Sequence, residues 1–344
     1  MEGPAPEHNE TVVEPLLEPD YTKKARRDFM MLGFALLLFI GAASTVQIAM
    51  QLLLERVAPA VTEEPWYLWV LSILPLYLIG FPLALIFFFK VPAEKQEKKR
   101  IPVYLWLGVF TVSIFVMYVG NLIGTAVTSV LSLFRESPIV PAISELLSDS
   151  SLWWSIPVTV IVAPVMEELI CRKMLIDRTR RYGELTAAFF SAAAFGLIHG
   201  NFSQFFYAFG LGFVFAWVYL RTGNVFYTML LHASINFMGG VIGPWALKNV
   251  DLDNVGFEDM AEMEALVSDG SLLKMVPLVY YAMTVLSLAL VGMILLIVYR
   301  KSVTFAPARE PIARGRVFPT VYLNAGVILF VVFCFGLFVY SVIR

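Results

Sequence analysis

From Phe29 to Leu54 the chain runs without a single ionisable side chain. About 20 such residues suffice to cross roughly 30 Å of hydrocarbon as a helix. The pattern recurs, and nine stretches qualify or nearly qualify as spans: 29–54, 66–89, 103–134, 152–175, 185–202, 204–220, 225–247, 273–299 and 318–342. Within lipid, backbone polar groups must be satisfied inside a helix or by closure of a barrel, and these runs are too long and too uniform for the short alternating strands of a barrel. Composition agrees: 59% of the 344 residues are hydrophobic and 15% charged, well below the charge of a soluble domain. The expected fold class is all-α, a polytopic transmembrane helical bundle of about nine spans. The fifth and sixth stretches are short and separated only around Asn201–Ser203, so they read as one hairpin or a partly re-entrant pair.

The loops give the expected topology. Lys23, Lys24, Arg26 and Arg27 precede the first span, and Lys90, Lys95, Lys98, Lys99 and Arg100 follow the second. Lys173, Arg178, Arg180 and Arg181 follow the fourth, Arg221 the sixth, and Arg300, Lys301, Arg309, Arg314 and Arg316 the eighth. With nine spans and a cytosolic N-terminus, every basic loop falls on the cytosolic side. The other side then carries Glu55, Glu63, Glu64, Glu136, Glu145, Asp149 and the seven carboxylates between Asp251 and Asp269. Residues 1–28 read as a mostly disordered cytosolic tail ending in a basic anchor, without the basic-then-apolar pattern of a cleavable signal peptide. The two cysteines, Cys171 and Cys334, lie in apolar runs and read as small buried hydrophobes rather than a disulfide framework. Gly120 and Gly124 have a spacing that suits close helix packing, within the chain or between protomers.

Four regions follow: the tail (1–28), N-terminal spans (29–147), a central region (148–245) and an acidic loop with a C-terminal hairpin (246–344). Chemistry belongs to the central region, spans four to seven, because nearly all the intramembrane ionisable residues are there. Its segment PVMEELICRKML places Glu167, Glu168 and Arg172 among apolar neighbours. Ionised groups in such a setting cost several kcal/mol and usually mark function. Glu168 and Arg172 are four apart and share a helix face, whereas Glu167 is turned about 100° away. One glutamate therefore has a partner and the other is available. Of the three histidines, His8 lies in the tail, His199 follows Phe195 by four residues, and His232 precedes Asn236 by four. Taken singly, these residues are equally well read as helix-locking groups or interfacial anchors.

Together they make a chemical kit. At ~1.5 Å per residue, Glu167 lies about 15 Å and His232 about 12 Å from the basic side. Counting from residue 185 instead places His199 past the midplane, unless its helix is tilted or starts late. A desolvated carboxylate suits a general base, an imidazole beside it can orient water, and a second imidazole with an amide can donate to an oxyanion. No Gly-x-Ser-x-Gly elbow and no His-Glu-x-x-His pattern is present. Two histidines and a carboxylate can also hold a metal with an open position: the ligands would be Glu167, His199 and His232, and the candidate ion Zn.

The three motifs in order, Glu-Glu-x-x-x-Arg (Glu167, Glu168, Arg172), Phe-x-x-x-His (Phe195, His199) and His-x-x-x-Asn (His232, Asn236), resemble the CPBP family of intramembrane proteases, named for CAAX prenyl proteases and bacteriocin-processing enzymes. The resemblance covers roughly 150–240. It implies a glutamate-dependent endopeptidase in which Glu167 and His199 activate water, His232 and Asn236 form the oxyanion hole, and Glu168 and Arg172 support them. Members are often described as metalloproteases, although a metal-free mechanism is favoured for the prenyl-protease branch. The expected partners are the lipid bilayer and a peptide or membrane-protein substrate, whether a prenylated C-terminus, a leader peptide or a membrane segment, with no nucleic acid. The expected location is a bacterial plasma membrane. Two other readings use the same residues: a transporter binding an ion at the midplane, and a non-catalytic scaffold or immunity protein. The absence of visible repeat symmetry weighs against the transporter.

Overall fold

The structure, a computed structural model, describes residues 20–135, 156–248 and 271–343. Among these residues all regular structure is helical. Each of the nine expected stretches contains a helix: α1 (Thr22–Val57), α2 (Tyr67–Phe88), α3 (Val103–Ser132), α4 (156–179), α5 (Glu184–Leu197), α6 (Phe202–Thr222), α7 (Val225–Leu247), α8 (Ser271–Tyr299) and α9 (Ala325–Ile343). Seven of the described helices are long and apolar enough to cross a membrane, and α4 and α5 are not among them. The described residues thus support seven of the about nine expected spans. In α4 the charges of Glu167, Glu168, Arg172 and Lys173 lower the hydropathy. At 14 residues, α5 is about 21 Å long, short of the hydrocarbon thickness. Helix α1 begins at Thr22, so the basic residues before Phe29 are helical, and it already buries Ala25 and Asp28. Asp28 accepts a hydrogen bond from the Tyr182 hydroxyl at 2.7 Å, which fixes the foot of α1. Residues 1–19 of the tail, the loop with Glu136, Glu145 and Asp149, and the acidic loop from Asp251 to Asp269 lie outside the described residues.

The basic loops meet on one face, as alternating crossings require. Lys24 before the core of α1 pairs with Glu310 after α8 at 2.7 Å. Glu94 after α2 pairs with Arg180 after α4 at 3.3 Å and with Arg309 after α8. Glu184 at the start of α5 pairs with Arg221 at the end of α6. The α5–α6 pair is thus a hairpin returning to the basic face. Its partner α7 follows after a turn in which Gly223 takes φ +60° and the Asn224 side chain caps Phe226 N–H at 3.2 Å.

The interior has two main clusters. One joins α1, α2, α4, α5 and α9 through Phe29, Phe39, Phe88, Ile170, Phe190 and Phe330. The other joins α3, α6, α7 and α8 through Ile114, Leu211, Phe215, Leu231 and Val285. In lipid, apolar burial does not drive helices together, so close packing of small residues matters. Gly120 and Gly124 serve that role within the chain: a Cβ on Gly120 would lie 2.4 Å from Tyr207 Cα, and one on Gly124 would lie 2.6 Å from Ser203 O. They bring α3 against α6.

Candidate active site

Helix α4 carries the paired glutamates between two stretches of wider i→i+5 turns, Ile156–Val162 and Leu169–Ile176. Such turns are uncommon and often occur at functional positions. Pro164 offers no N–H to the carbonyls one turn earlier, and one of these, Thr159, accepts from Asn236 Nδ2 at 2.8 Å. This bond ties α7 to α4 and engages one of the two amide hydrogens of Asn236. On the other side of α4, the Ser191 hydroxyl donates to the Cys171 carbonyl at 2.7 Å and ties α5 to it. Cys171 and Cys334 are both free and buried.

The expected split between the glutamates is realised. Glu168 and Arg172 have fully buried side chains, with Arg172 Nε 2.9 Å from Glu168 Oε2. The contact is an ion pair rather than a directed hydrogen bond, and Arg172 Nη1 and Nη2 also lack a hydrogen-bond partner among the described residues. The guanidinium instead contacts two rings, 4.7 Å from the Phe195 centroid and 5.4 Å from that of Phe215. A desolvated cation–ring contact contributes about 2 kcal/mol or more. Glu168 Oε1 meets His232 Nδ1 at 3.2 Å. A carboxylate can only accept, so Nδ1 carries the hydrogen.

Glu167 points elsewhere. Its side chain is 17% exposed, and Oε2 lies 3.8 Å from His232 Nε2. Glu167 and His199 line one cavity of about 170 Å³, whose remaining wall is Phe39 and Ile40 of α1, Leu76 of α2, and Ile198. His199 Nδ1 is 2.7 Å from the Phe195 carbonyl, which again assigns the hydrogen to Nδ1 and leaves Nε2 as an acceptor. The position of His199, which depth counting from residue 185 made difficult, is met by the shortness of α5, since the histidine stands in the turn that ends it. That turn would leave polar backbone groups exposed inside the bundle. Asn201 satisfies them, donating to His199 O at 2.8 Å while its Oδ1 caps Gln204 N–H at 2.9 Å.

Glu167 and His199 are therefore brought to one cavity, His232 stands beside Glu167, and Asn236 lies one turn further along α7, held to α4. As potential metal ligands, Glu167, His199 and His232 do not fit: among the described residues no three His, Cys, Asp or Glu side chains are gathered closely enough to hold an ion. The motifs gave no hint of Phe215, Ser191, Asn201 or the cavity wall on α1 and α2. Phe215 is one of 28 phenylalanines in the chain and has no sequence mark that separates it from a lipid-facing ring.

A multi-pass helical membrane protein with a buried carboxylate–guanidinium–imidazole chain, beside a second carboxylate and imidazole facing a cavity, is the class that fold and site define. Residues 149–238 match the model of the Rce1-like family, described as Type II CAAX prenyl endopeptidase Rce1-like. Through this region the chain is similar to the CPBP/CAAX protease family. The chain is also 29% identical over 108 residues to a Bacillus subtilis (strain 168) protein named "Putative membrane peptidase YdiL". That similarity covers 31% of this chain and 43% of the relative, so the chain spans less than half of the relative's length. No solved structure matches the chain.

Proposed function

We propose that the protein is an intramembrane endopeptidase of the CAAX type that hydrolyses a peptide bond with water activated by Glu167 and His199. The observation that carries this reading is the shared cavity: a carboxylate and an imidazole acceptor face the same water-sized space inside an apolar bundle. A space of about 170 Å³ accommodates several waters, each occupying roughly 30 Å³ in the liquid. Glu167 accepts a proton from the water as it attacks the carbonyl carbon, and His199 Nε2 accepts the water's other hydrogen bond and orients it. The charge on the carbonyl oxygen is met by the second amide hydrogen of Asn236 and by His232. Glu167 then delivers its proton to the departing amine. Each such donor or base typically contributes about 10²–10⁴ in rate.

The substrate is a peptide segment that reaches the cavity within the bilayer, with a prenylated C-terminus as the leading candidate by family. The protein sits in a bacterial plasma membrane with its basic face and N-terminus cytosolic, in accord with the clustering of Lys and Arg. The test is incubation of the purified protein in lipid nanodiscs with a prenylated CAAX peptide, its unprenylated counterpart, a leader peptide and a membrane-protein extract, followed by mass spectrometry of new termini. Cleavage is expected and should survive dialysis against a chelator, because Glu167, His199 and His232 are not gathered as metal donors. Cleavage of equal rate in His199→Gln would remove the assigned water-orienting group. Loss on chelation, restored by Zn, would instead require those side chains to close around an ion.

A further inference from the structure

An arginine paired with a carboxylate normally presents two parallel N–H groups to both oxygens. Arg172 does not: it approaches Glu168 Oε2 through Nε, and Oε1 is left to His232 Nδ1 at 3.2 Å. Something must keep the guanidinium from rotating its two partnerless Nη groups onto that second oxygen. Two rings stand against it. Phe195 and Phe215 lie over the guanidinium at 4.7 and 5.4 Å. The same two rings flank the His232 imidazole, with centroids at 5.5 and 5.7 Å. Both are almost completely buried. Phe195 belongs to the Phe-x-x-x-His motif, but Phe215 belongs to none and stands on α6, which supplies no residue to the three motifs.

We propose that Phe215, opposite Phe195, is a positioning residue for His232. The two rings engage the guanidinium, hold Arg172 with only its Nε toward Glu168, and so reserve Glu168 Oε1 for His232 Nδ1. His232 Nε2 is thereby held toward Glu167. The consequence for hydrolysis rests on the proposed function; the geometry itself can be read without substrate.

The chain has only three histidines, so ¹⁵N-histidine spectra of the full-length protein in lipid resolve them, with His8→Gln and His199→Gln as assignments. Wild type should show His232 with one hydrogen-bonded Nδ1–H signal. Phe215→Leu should lose or split that signal and lower kcat about tenfold, equivalent to the loss of one modest interaction, with KM nearly unchanged. Phe215→Tyr should restore both. Phe213→Leu, which removes a ring that packs on Phe189 and Phe305 of the same region, should change neither. Pentafluorophenylalanine at 215 keeps the shape and reverses the ring's electrostatics, and it should disturb the His232 signal even where Phe215→Leu fails to fold. An undisturbed signal in folded Phe215→Leu or in the fluorinated protein overturns the proposal, as does a wild-type His232 that exchanges between tautomers. If these spectra behave as expected but no peptide is cleaved, the protease reading fails while the clamp stands.

Discussion

Glu167 and Glu168 are neighbours in sequence with opposite surroundings, and their substitutions should separate accordingly. Glu168 is fully buried against Arg172 and His232, so Glu168→Ala or Arg172→Ala leaves a charge without its counterion, at a cost of about 3–5 kcal/mol. The double substitution Glu168→Gln/Arg172→Met removes both charges and should be less harmful than either single change. Apparent melting temperatures in detergent check this ordering; a double variant less stable than both singles would mean that the charges are not compensating one another. Glu167→Gln, at the cavity, should shift the melting temperature far less. The i,i+4 pairing of Glu168 with Arg172 and the availability of Glu167 are legible in the sequence because a helix fixes which residues share a face. The rings around Arg172 are not, because an apolar residue deep in a long apolar helix gives no sign of which side it turns to lipid.

At the scale of elements, the site depends on short α5 and on α6 lying close to α3. Helix existence follows from apolar run length at all nine stretches, whereas the ability to span does not. Run length alone overstates α5, since residues 198–201 at the end of that stretch form the turn that carries His199 and the Asn201 cap. Gly120 tests the packing. A leucine there meets Tyr207 backbone, and overpacking of this kind costs typically about 1–3 kcal/mol. Leucine at Gly239, where an added Cβ meets nothing within 4 Å, should be tolerated. Gly120→Leu should therefore lower the apparent melting temperature and Gly239→Leu should not. Equal effects would place the α3–α6 contact elsewhere.

Across the whole molecule, ion pairs knit the basic segments beside α1, α2, α4 and α8 into one face, in agreement with the distribution of Lys and Arg along the chain. Single cysteines at Lys98 and Arg314 should thus react with an impermeant thiol reagent from the same side, the cytosolic side in cells; the native Cys171 and Cys334 are buried and give a low background. Labelling from opposite sides would break the topology. That fold sets four motif side chains on α4, α5 and α7. The cleavage rate of the intact protein in nanodiscs, compared between wild type and Glu167→Gln, tests their arrangement most directly. Glu167→Gln should remain folded and lose at least about 10²-fold in kcat, the usual contribution of a general base. A folded Glu167→Gln protein that cleaves at the wild-type rate would contradict the account.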